Sequence, residues 1–256
     1  MGLWTVAHAK TILPALVVMI LLAAGLRAVI GKKSIKVRMI PFQVIACILV
    51  LLEIGKQAVS FSRGYDLYHI PLHFCSLFIF AMPAMAFYNG KHCATVRAVT
   101  AALCAAMSAL MLIFPHIIYS EENISNYFRG FLDFHTVTFH NLVLFAFVLI
   151  VALELHTPEE TGEQKAVILF TAGFCVVSAV MSQLLKTNYA GFYSCNVPVF
   201  EALRLSLRDT LGALVAQVLY VCVIASLHIL FVWGSYWLFR FLRKLTAIKQ
   251  PVLQSP

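Results

Sequence analysis

Stretches of about 20 mostly apolar residues recur along this chain of 256 residues, and a helix of that length crosses about 30 Å of hydrocarbon. Lipid offers no hydrogen-bond partner to an open backbone, so each stretch is predicted to be a transmembrane helix. The predicted fold class is all-α: a polytopic membrane helical bundle of about seven transmembrane helices, in a single domain over residues 1–256. The candidate spans are roughly 11–30, 38–60, 70–88, 95–119, 134–155, 165–187 and 211–239.

The composition favours a membrane bundle over a soluble domain with an anchor. Hydrophobic residues make up 61% of the chain and charged residues only 12%, whereas a soluble domain carries about a quarter charged residues. The first span lacks the basic n-region and the clear cleavage site of a signal peptide, so it is predicted to stay in the protein.

The basic residues predict the orientation in the membrane. With the N-terminus outside or lumenal, twelve of the 19 Lys and Arg residues flank the spans on the cytoplasmic side and six on the other side, with Lys56 inside a span. Basic residues accumulate in cytoplasmic loops. The net charge of +8 is therefore interpreted as a topology signal with affinity for anionic lipid headgroups, and no nucleic-acid partner is expected. The expected compartment is the endoplasmic reticulum or the plasma membrane.

The seven cysteines predict neither a disulfide framework nor a metal site. Cysteines within membrane spans usually act as small hydrophobic residues, and Cys195 has no evident partner in its outer loop. The Cys and His spacing fits no standard zinc signature, so no metal or cofactor is expected. The cysteines inside predicted spans are Cys47, Cys75, Cys104, Cys175 and Cys222.

The second span contains two ionisable residues, Glu53 and Lys56. They are three residues apart and so lie on neighbouring faces of one helix. Ionisable residues inside a membrane are costly and are candidates for a functional site. An ion pair that only fixes helix packing is the equally open alternative.

The third span begins with "HIPLHFCSLFIFAMP", residues His69 to Pro83. On a regular helix His73 and Cys75 point to nearly opposite sides, and His73 lines up with His69 instead. Pro71 suits the first turn of a helix, where its missing N–H costs nothing. A base for Cys75 is therefore expected from another helix.

The fifth span offers such a base in "DFHTVTFHNLVLF". Asp133, Thr136 and His140 share one helix face, whereas His135 points elsewhere. Asp133 is two turns from His140, so an orienting contact between them needs Thr136 or a water as a bridge. A histidine in a membrane helix often only hydrogen-bonds another helix, and that alternative stays open.

Several polar residues fall at one depth. Cys75 and His140 lie five and six residues from their span ends on one membrane side, about 8–9 Å in, and Glu53 lies about 10 Å in. The sixth span ends on that side with Lys186 and the "TNYAGFYSCNVP" loop. This common layer predicts a single polar pocket that opens toward the outer leaflet.

Four motifs occur in a fixed order: "PLHFCSLFIFAMP", "LIFP" at Leu112–Pro115, "FHNLVLF" at Phe139–Phe145 and "NY" at Asn188–Tyr189. Together they resemble the YwaF-like integral membrane proteins. That family is related to a vertebrate multipass acyltransferase of the transmembrane protein 164 type, which places polyunsaturated acyl chains on ether phospholipids. It is linked more distantly to androgen-induced membrane hydrolases of fatty-acid esters. "EIGK" at Glu53–Lys56 is similar to the vertebrate protein, and the resemblance runs from about Glu53 to Asn188.

The resemblance implies roles for particular residues. His73 and His140 match the family's membrane histidines. In the vertebrate acyltransferase the catalytic cysteine directly precedes the histidine, a position that Leu72 holds here. Cys75 instead matches the "PLHLC" form of the YwaF-like branch, so a nucleophilic Cys75 would act from one helical turn further along.

The leading hypothesis is a membrane-embedded lipid acyltransferase or acyl-ester hydrolase acting on a phospholipid or fatty-acid ester, with membrane lipids as its substrates. Cys75 is the expected nucleophile and His140 the general base. His73 would stabilise the oxyanion or carry a second proton. The residues expected to shape the pocket are Glu53, Lys56, Asp133, Thr136 and Asn188.

Two other functions are open to a chain of this kind. A proton-coupled transporter would use Glu53, Lys56 and the histidines as a relay, although the spans show no inverted repeat. A receptor-like or scaffolding protein would suit a seven-span count, but the third span lacks an "E/DRY"-type end and the seventh lacks "NPxxY".

Overall fold

The computed structural model describes residues 4–156, 161–194 and 198–247. Within those residues the chain forms eleven α-helices and no strand. Two 3-10 turns, Leu67–His69 and Phe74–Leu77, interrupt the chain between the third and fourth helices. The helices are α1 Val6–Ile30, α2 Ile35–Arg38, α3 Ile40–Ser62, α4 Phe78–Phe87, α5 Cys93–Ile113, α6 Pro115–Ile118, α7 Glu121–Ser125, α8 Phe131–Ala152, α9 Thr161–Leu185, α10 Pro198–Leu211 and α11 Ala213–Ala247.

Six helical segments of the described chain are long and apolar enough to cross a membrane. The prediction of an all-α polytopic membrane bundle is confirmed, and the chain is an integral multi-pass membrane protein. The six segments are Val6–Ile30, Ile35–Ser62, Cys93–Ile113, Phe131–Ala152, Gly162–Leu185 and Ala213–Phe241.

The third predicted span, residues 70–88, differs from the other six. Only Phe78–Phe87 forms an α-helix, and its 10 residues reach about 15 Å, roughly half the hydrocarbon thickness. Residues 70–73 are not helical, so Pro71 does not begin a helix and the predicted helical alignment of His69 with His73 is wrong. Proline disfavours the α conformation in the residue before it, and Ile70 accordingly adopts φ −57° and ψ 133°.

Proline also shortens the fourth predicted span, residues 95–119. The helix α5 ends at Ile113, and Phe114 adopts φ −129° and ψ 59° before Pro115 begins the short helix α6. The proline ring excludes an α conformation at the preceding residue for the same steric reason. The chain therefore turns at Phe114 instead of continuing straight to residue 119.

The helix α5 forms the centre of the bundle and packs against α4, α8, α9 and α11. Its middle is lined with small residues, among them Ala102 and Ala106, which have no exposed surface. Small side chains let neighbouring backbones approach closely where no hydrophobic effect drives helices together in lipid. The hydroxyl of Thr100 donates to the carbonyl of Ala81 at 3.2 Å and ties α5 to α4.

The helix α1 lies at the edge of the bundle and is tied down at both ends. At its start, the indole of Trp4 donates to the carbonyl of Leu112 at 3.0 Å, and His8 Nε2 donates to the carbonyl of Tyr119 at 2.9 Å. At its end, Arg27 donates to the carbonyl of Ala152 at 2.6 Å, at the end of α8. Cations near a helix C-terminus stabilise its unpaired carbonyls.

The helix α10 was not predicted from the sequence. The region between the sixth and seventh predicted spans was expected to be a loop. The helix is amphipathic: Leu203 and Leu211 are exposed, whereas Arg204 pairs with Glu201 at 2.5 Å. An apolar face of this kind is typical of a helix that lies in the membrane interface. Gly212 separates α10 from α11 with φ +82°, a left-handed conformation that glycine adopts without steric cost.

Candidate functional site

Glu53 is the centre of a buried polar cluster on α3. Its Oε1 atom lies 2.8 Å from Lys56 Nζ and accepts a hydrogen bond from Gln57 Nε2 at 2.7 Å. The side chains of Glu53 and Lys56 keep only 10% and 12% of their surface exposed. Because an isolated charge at this depth would be costly, the two residues stabilise each other.

The third partner of Glu53 is His135, which was predicted to point away from the face of Asp133, Thr136 and His140. His135 Nε2 lies 3.6 Å from Glu53 Oε2, and its ring stacks on Phe139 at 5.3 Å. A sequence signal for this approach is Gly55: a Cβ atom there would lie 2.5 Å from the ring of Phe131. The glycine lets the start of α8 lie directly against α3, which brings His135 to Glu53.

Residues 63–77, between α3 and α4, contain no α-helix, and we call them the non-helical segment. Two side chains of α3 hold this segment to that helix. Gln57 Nε2 donates to the carbonyl of His69 at 2.7 Å, and His69 Nδ1 lies 2.7 Å from Ser60 Oγ. Tyr65 in turn donates its hydroxyl to Gln57 Oε1 at 2.9 Å. Gln57 therefore links the Glu53 cluster to the backbone that leads to His73.

The same segment is held to the sixth predicted span and its loop by two further side chains. The hydroxyl of Tyr189 donates to the carbonyl of Leu67 at 2.6 Å, and the hydroxyl of Ser178 donates to the carbonyl of Leu72 at 3.0 Å. Backbone groups without such partners would be costly at membrane depth. At that depth, irregular backbone is tolerated only where it is buried in protein or lines a water-filled cavity.

His73 and Cys75 are the two predicted site residues on this segment. A carbonyl can only accept, so His73 Nε2 carries the proton that it donates to Tyr68 at 3.0 Å, and Nδ1 keeps the lone pair. The His73 ring also packs on Tyr68 at 4.3 Å and on Tyr189 at 5.5 Å. Cys75 lies in the 3-10 turn Phe74–Leu77, half-buried against the core.

His140 lies on α8 with one ring nitrogen occupied. Its Nδ1 donates to the carbonyl of Thr136 at 2.7 Å, which leaves the lone pair on Nε2. The ring packs near Tyr119 and Phe139, at 6.4 and 5.9 Å. In the described residues Cys75 and His140 are not hydrogen-bonded to each other, so the structure does not place them in direct contact.

Among the predicted site residues, all of which the structure describes, only the side chains of Glu53 and Lys56 lie within hydrogen-bond distance of each other. In the part of the chain that the structure describes, none of His73, Cys75 and His140 forms a hydrogen bond or an ion pair with either of them.

Asp133 and Thr136 do not orient His140 through their side chains. Asp133 Oδ1 accepts from Asn123 Nδ2 at 2.7 Å. The hydroxyl of Thr136 donates to the carbonyl of Leu132 at 2.9 Å, within the same helix. Thr136 does hold His140, but through its backbone carbonyl and not as the bridge to Asp133 that the sequence suggested.

Asn188 organises the loop after α9. Its Oδ1 atom accepts from the backbone N–H groups of Tyr193 and Ser194 at 3.1 and 3.2 Å. This turn precedes residues 195–197, which lie outside the described residues together with Cys195. Asn188 therefore shapes the loop, and its neighbour Tyr189 provides the contact with the non-helical segment.

A model of the TMEM164 family matches residues 3–227, which include every predicted site residue. The chain belongs to the TMEM164 family. The resemblance to a family of the transmembrane protein 164 type, drawn from the sequence motifs, is confirmed. No curated protein and no solved structure matches the chain.

A second buried cluster of this TMEM164-family chain lies at the other end of α8. His156 Nε2 lies 3.4 Å from Glu163 Oε2, and the hydroxyl of Tyr236 donates to the same oxygen at 3.0 Å. The sequence did not indicate this cluster, because the predicted sixth span began at residue 165 and left Glu163 in a loop. The helix α9 in fact begins at Thr161, so Glu163 lies within its first turn.

The six cysteines that the structure of this chain describes are all free thiols. Among the described residues, no three His, Cys, Asp or Glu side chains are grouped so that they could hold a metal ion. The reactive side-chain groups of the predicted site are the thiol of Cys75, the imidazoles of His73 and His140, the carboxylate of Glu53 and the ammonium of Lys56.

Proposed function

We propose that the chain is a membrane-embedded lipid acyltransferase or acyl-ester hydrolase in which Cys75 is the nucleophile. The observation that supports this function is the non-helical segment before α4, which carries His73 and Cys75 and is held by side chains of Gln57, Ser178 and Tyr189. A helix broken at membrane depth requires a surrounding of this kind. It places the half-buried thiol of Cys75 in a 3-10 turn and not on the face of an α-helix.

The proposed reaction has two steps. A base takes the thiol proton of Cys75, and the sulfur attacks the carbonyl carbon of a phospholipid or fatty-acid ester. The ester C–O bond breaks, the lysolipid or alcohol oxygen takes the proton from the base, and a thioester remains on the cysteine. In the second step a lysolipid hydroxyl or water attacks the thioester while the base takes its proton. The thiolate leaves and is reprotonated.

The roles of the surrounding residues follow from their hydrogen bonds. His140 is the proposed general base, because the bond of its Nδ1 to Thr136 leaves Nε2 able to accept a proton. His73 is the proposed second proton carrier, because the bond of its Nε2 to Tyr68 leaves Nδ1 able to accept a proton. Once protonated at Nδ1, the ring would be able to donate to an oxyanion. Lys56, balanced by Glu53, would stabilise negative charge that develops nearby.

The remaining predicted residues have supporting roles in this proposal. Asp133, Thr136 and Asn188 hold the start of α8 and the loop after α9, which together enclose the site. Membrane lipids are the proposed substrates. The proposed orientation is N-terminus outside or lumenal and C-terminus cytoplasmic, in the endoplasmic reticulum or the plasma membrane.

A proton-coupled carrier is the second candidate function. One observation favours it: buried titratable clusters lie at both ends of α8, Glu53 with His135 at one end and Glu163 with His156 at the other. Ionisable residues inside membrane proteins frequently mark proton pathways. In a carrier, however, the thiol of Cys75 has no necessary part.

Substitution of Cys75 separates the two functions. The purified chain in phospholipid nanodiscs should react with an activated acyl ester at Cys75 at least tenfold faster than at Cys104 or Cys175, and His140→Ala should slow that reaction. Cys75→Ser should abolish the exchange of labelled acyl chains between lipids, because a serine hydroxyl is a far weaker nucleophile than a thiolate. Cys47→Ser, at an exposed thiol, is the matched control.

Full acyl exchange in both Cys75→Ser and Cys75→Ala would reject the cysteine mechanism. Absence of acyl exchange in the wild-type protein, together with proton-coupled uptake that survives Cys75→Ser, would instead favour the carrier.

A further inference from the structure

A groove runs between α1 and α8, on the edge of the bundle. Its wider part is a cavity of about 510 Å³ between the α1 segment 10–22 and the α8 segment 137–145. A second cavity of about 390 Å³ continues it along residues 20–27 and 147–152. The α1 residues from 10 to 27 span about 26 Å at 1.5 Å per residue, close to the hydrocarbon thickness of a bilayer. We call these two cavities the α1/α8 groove.

The ends of α1 are held, so the groove lies between two fixed contacts. Trp4 and His8 bond the start of α1 to the carbonyls of Leu112 and Tyr119. Arg27 bonds its end to α8. Between these contacts Ile12 and Met19 of α1 pack in one buried cluster with Val137 and Leu144 of α8, and residues of both helices line the two cavities.

The walls of the groove are mostly apolar, although Thr11, Thr138 and Asn141 also line the wider cavity. Ala15 and Met19 of α1 face Leu142 and Phe145 of α8 across the wider cavity. Lys10 stands at the end of this cavity, exposed, and it makes no ion pair with any residue that the structure describes. A cavity of several hundred Å³ with apolar walls and few polar groups is typical of a small-molecule site.

We propose that the α1/α8 groove binds a phospholipid, with an acyl chain along the apolar walls and the phosphate beside Lys10. Charge and shape both favour this occupant. An anionic phosphate at the membrane interface attracts a nearby lysine, and an acyl chain matches an apolar cavity that opens sideways to the bilayer. The groove lining includes none of Cys75, His73 and Glu53, and the proposal does not depend on acyl transfer.

The test uses the full-length chain in nanodiscs that contain phosphatidylcholine with a photoreactive group on its acyl chain. Adducts mapped by mass spectrometry should concentrate on the α1 and α8 segments that line the groove. Ala15→Phe fills the wider cavity and should lower those adducts at least fivefold. Ala28→Phe adds the same bulk at an exposed position of α1 outside the groove lining and should leave them unchanged.

A second comparison examines the phosphate. Lys10→Gln should lower the adduct yield of the phosphatidylcholine probe severalfold but not that of a diacylglycerol probe with the same photoreactive chain. Lys36→Gln, at an exposed lysine beyond the other end of α1, should change neither yield. Leu142→Trp blocks the groove from the α8 side and replaces Ala15→Phe if that variant does not fold.

Three results would overturn the proposal. The first is an unchanged yield of groove adducts in both blocking variants. The second is an equal loss in Ala15→Phe and Ala28→Phe. The third is conversion of a wild-type dimer to a monomer by Ala15→Phe, which would assign the groove to a second copy of the chain.

Discussion

At the scale of single residues, the buried carboxylate of Glu53 organises the polar part of the bundle. Lys56, Gln57 and His135 all approach it, and two of them come from the same helix turn. A buried ion pair contributes little net stability over an apolar pair, but removal of one partner leaves the other charge uncompensated. Replacement of Glu53 alone should therefore lower the unfolding free energy much more than replacement of Glu53 and Lys56 together.

The first residue-scale prediction is that Glu53→Gln destabilises the protein. The remaining charge of Lys56 lies in a site where only 12% of its side chain is exposed, so we expect a loss of about 3–5 kcal/mol of unfolding free energy. Chemical unfolding of the purified protein in micelles measures this loss. Glu122→Gln, at an exposed carboxylate, is the control and should be neutral.

The double variant Glu53→Gln with Lys56→Met should recover most of that loss, because it removes both charges. If Glu53→Gln is as stable as the wild type, Lys56 instead extends its ammonium group to the interface. The ion pair would then not be required for the stability of the fold.

At the scale of elements, the chain between α3 and α4 is the informative segment. Four carbonyls of this segment accept hydrogen bonds from side chains: those of Leu67, Tyr68, His69 and Leu72. Two of those side chains, Ser178 and Tyr189, are 106 and 122 residues away from the carbonyls they contact. The conformation of the segment therefore depends on how α9 and its loop pack against it.

The element-scale prediction is that Tyr189→Phe loosens this segment. The carbonyl of Leu67 loses the hydroxyl that lies 2.6 Å away and keeps only its bond from the N–H of Ile70 at 3.1 Å, so we expect a loss of about 0.5–1.5 kcal/mol, the net contribution of one hydrogen bond. Alkylation of Cys75 by a small maleimide should become severalfold faster, because the turn that carries it opens more often. Tyr88→Phe, at an exposed tyrosine, should leave both measurements unchanged.

A Tyr189→Phe protein with wild-type stability and wild-type alkylation of Cys75 would show that the segment does not need the α9 loop. An equal effect of Tyr88→Phe would show that the change is not specific to the Leu67 carbonyl.

At the scale of the whole molecule, α5 and the helices around it form the bundle, and α1 is attached at its edge. The positive residues outside the spans predict which end of this bundle faces the cytoplasm. The loop after α1 carries Lys32 and Lys33, whereas α7 begins with Glu121 and Glu122. These two regions are therefore expected on opposite sides of the membrane.

The whole-molecule prediction concerns this orientation. In a cysteine-free background, Glu122→Cys should be labelled by an impermeant maleimide from the outer or lumenal side. Lys33→Cys should be labelled only after permeabilisation. Both positions are exposed, so the difference measures the side of the membrane and not burial. Labelling of Lys33→Cys alone in intact cells or sealed vesicles would reverse the proposed topology.

The helical membrane bundle was determined by the sequence itself. Apolar stretches long enough to cross hydrocarbon must satisfy their backbone internally, so helices follow from composition and length. The pairing of Glu53 with Lys56 was also accessible, because residues three apart on a helix are neighbours whatever surrounds them. Short-range geometry of this kind needs no knowledge of the rest of the chain.

Only the tertiary structure decided the course of residues 70–77, the partner of Glu53 on α8 and the α1/α8 groove. Pro71 opposes a helix only at the residue before it, and the carbonyls of Leu67 and Leu72 accept from side chains more than 100 residues away. His135 reaches Glu53 because Gly55 lets the ring of Phe131 approach α3. Contacts between helices depend on how their surfaces fit together, and helical periodicity within one segment carries no information about that fit.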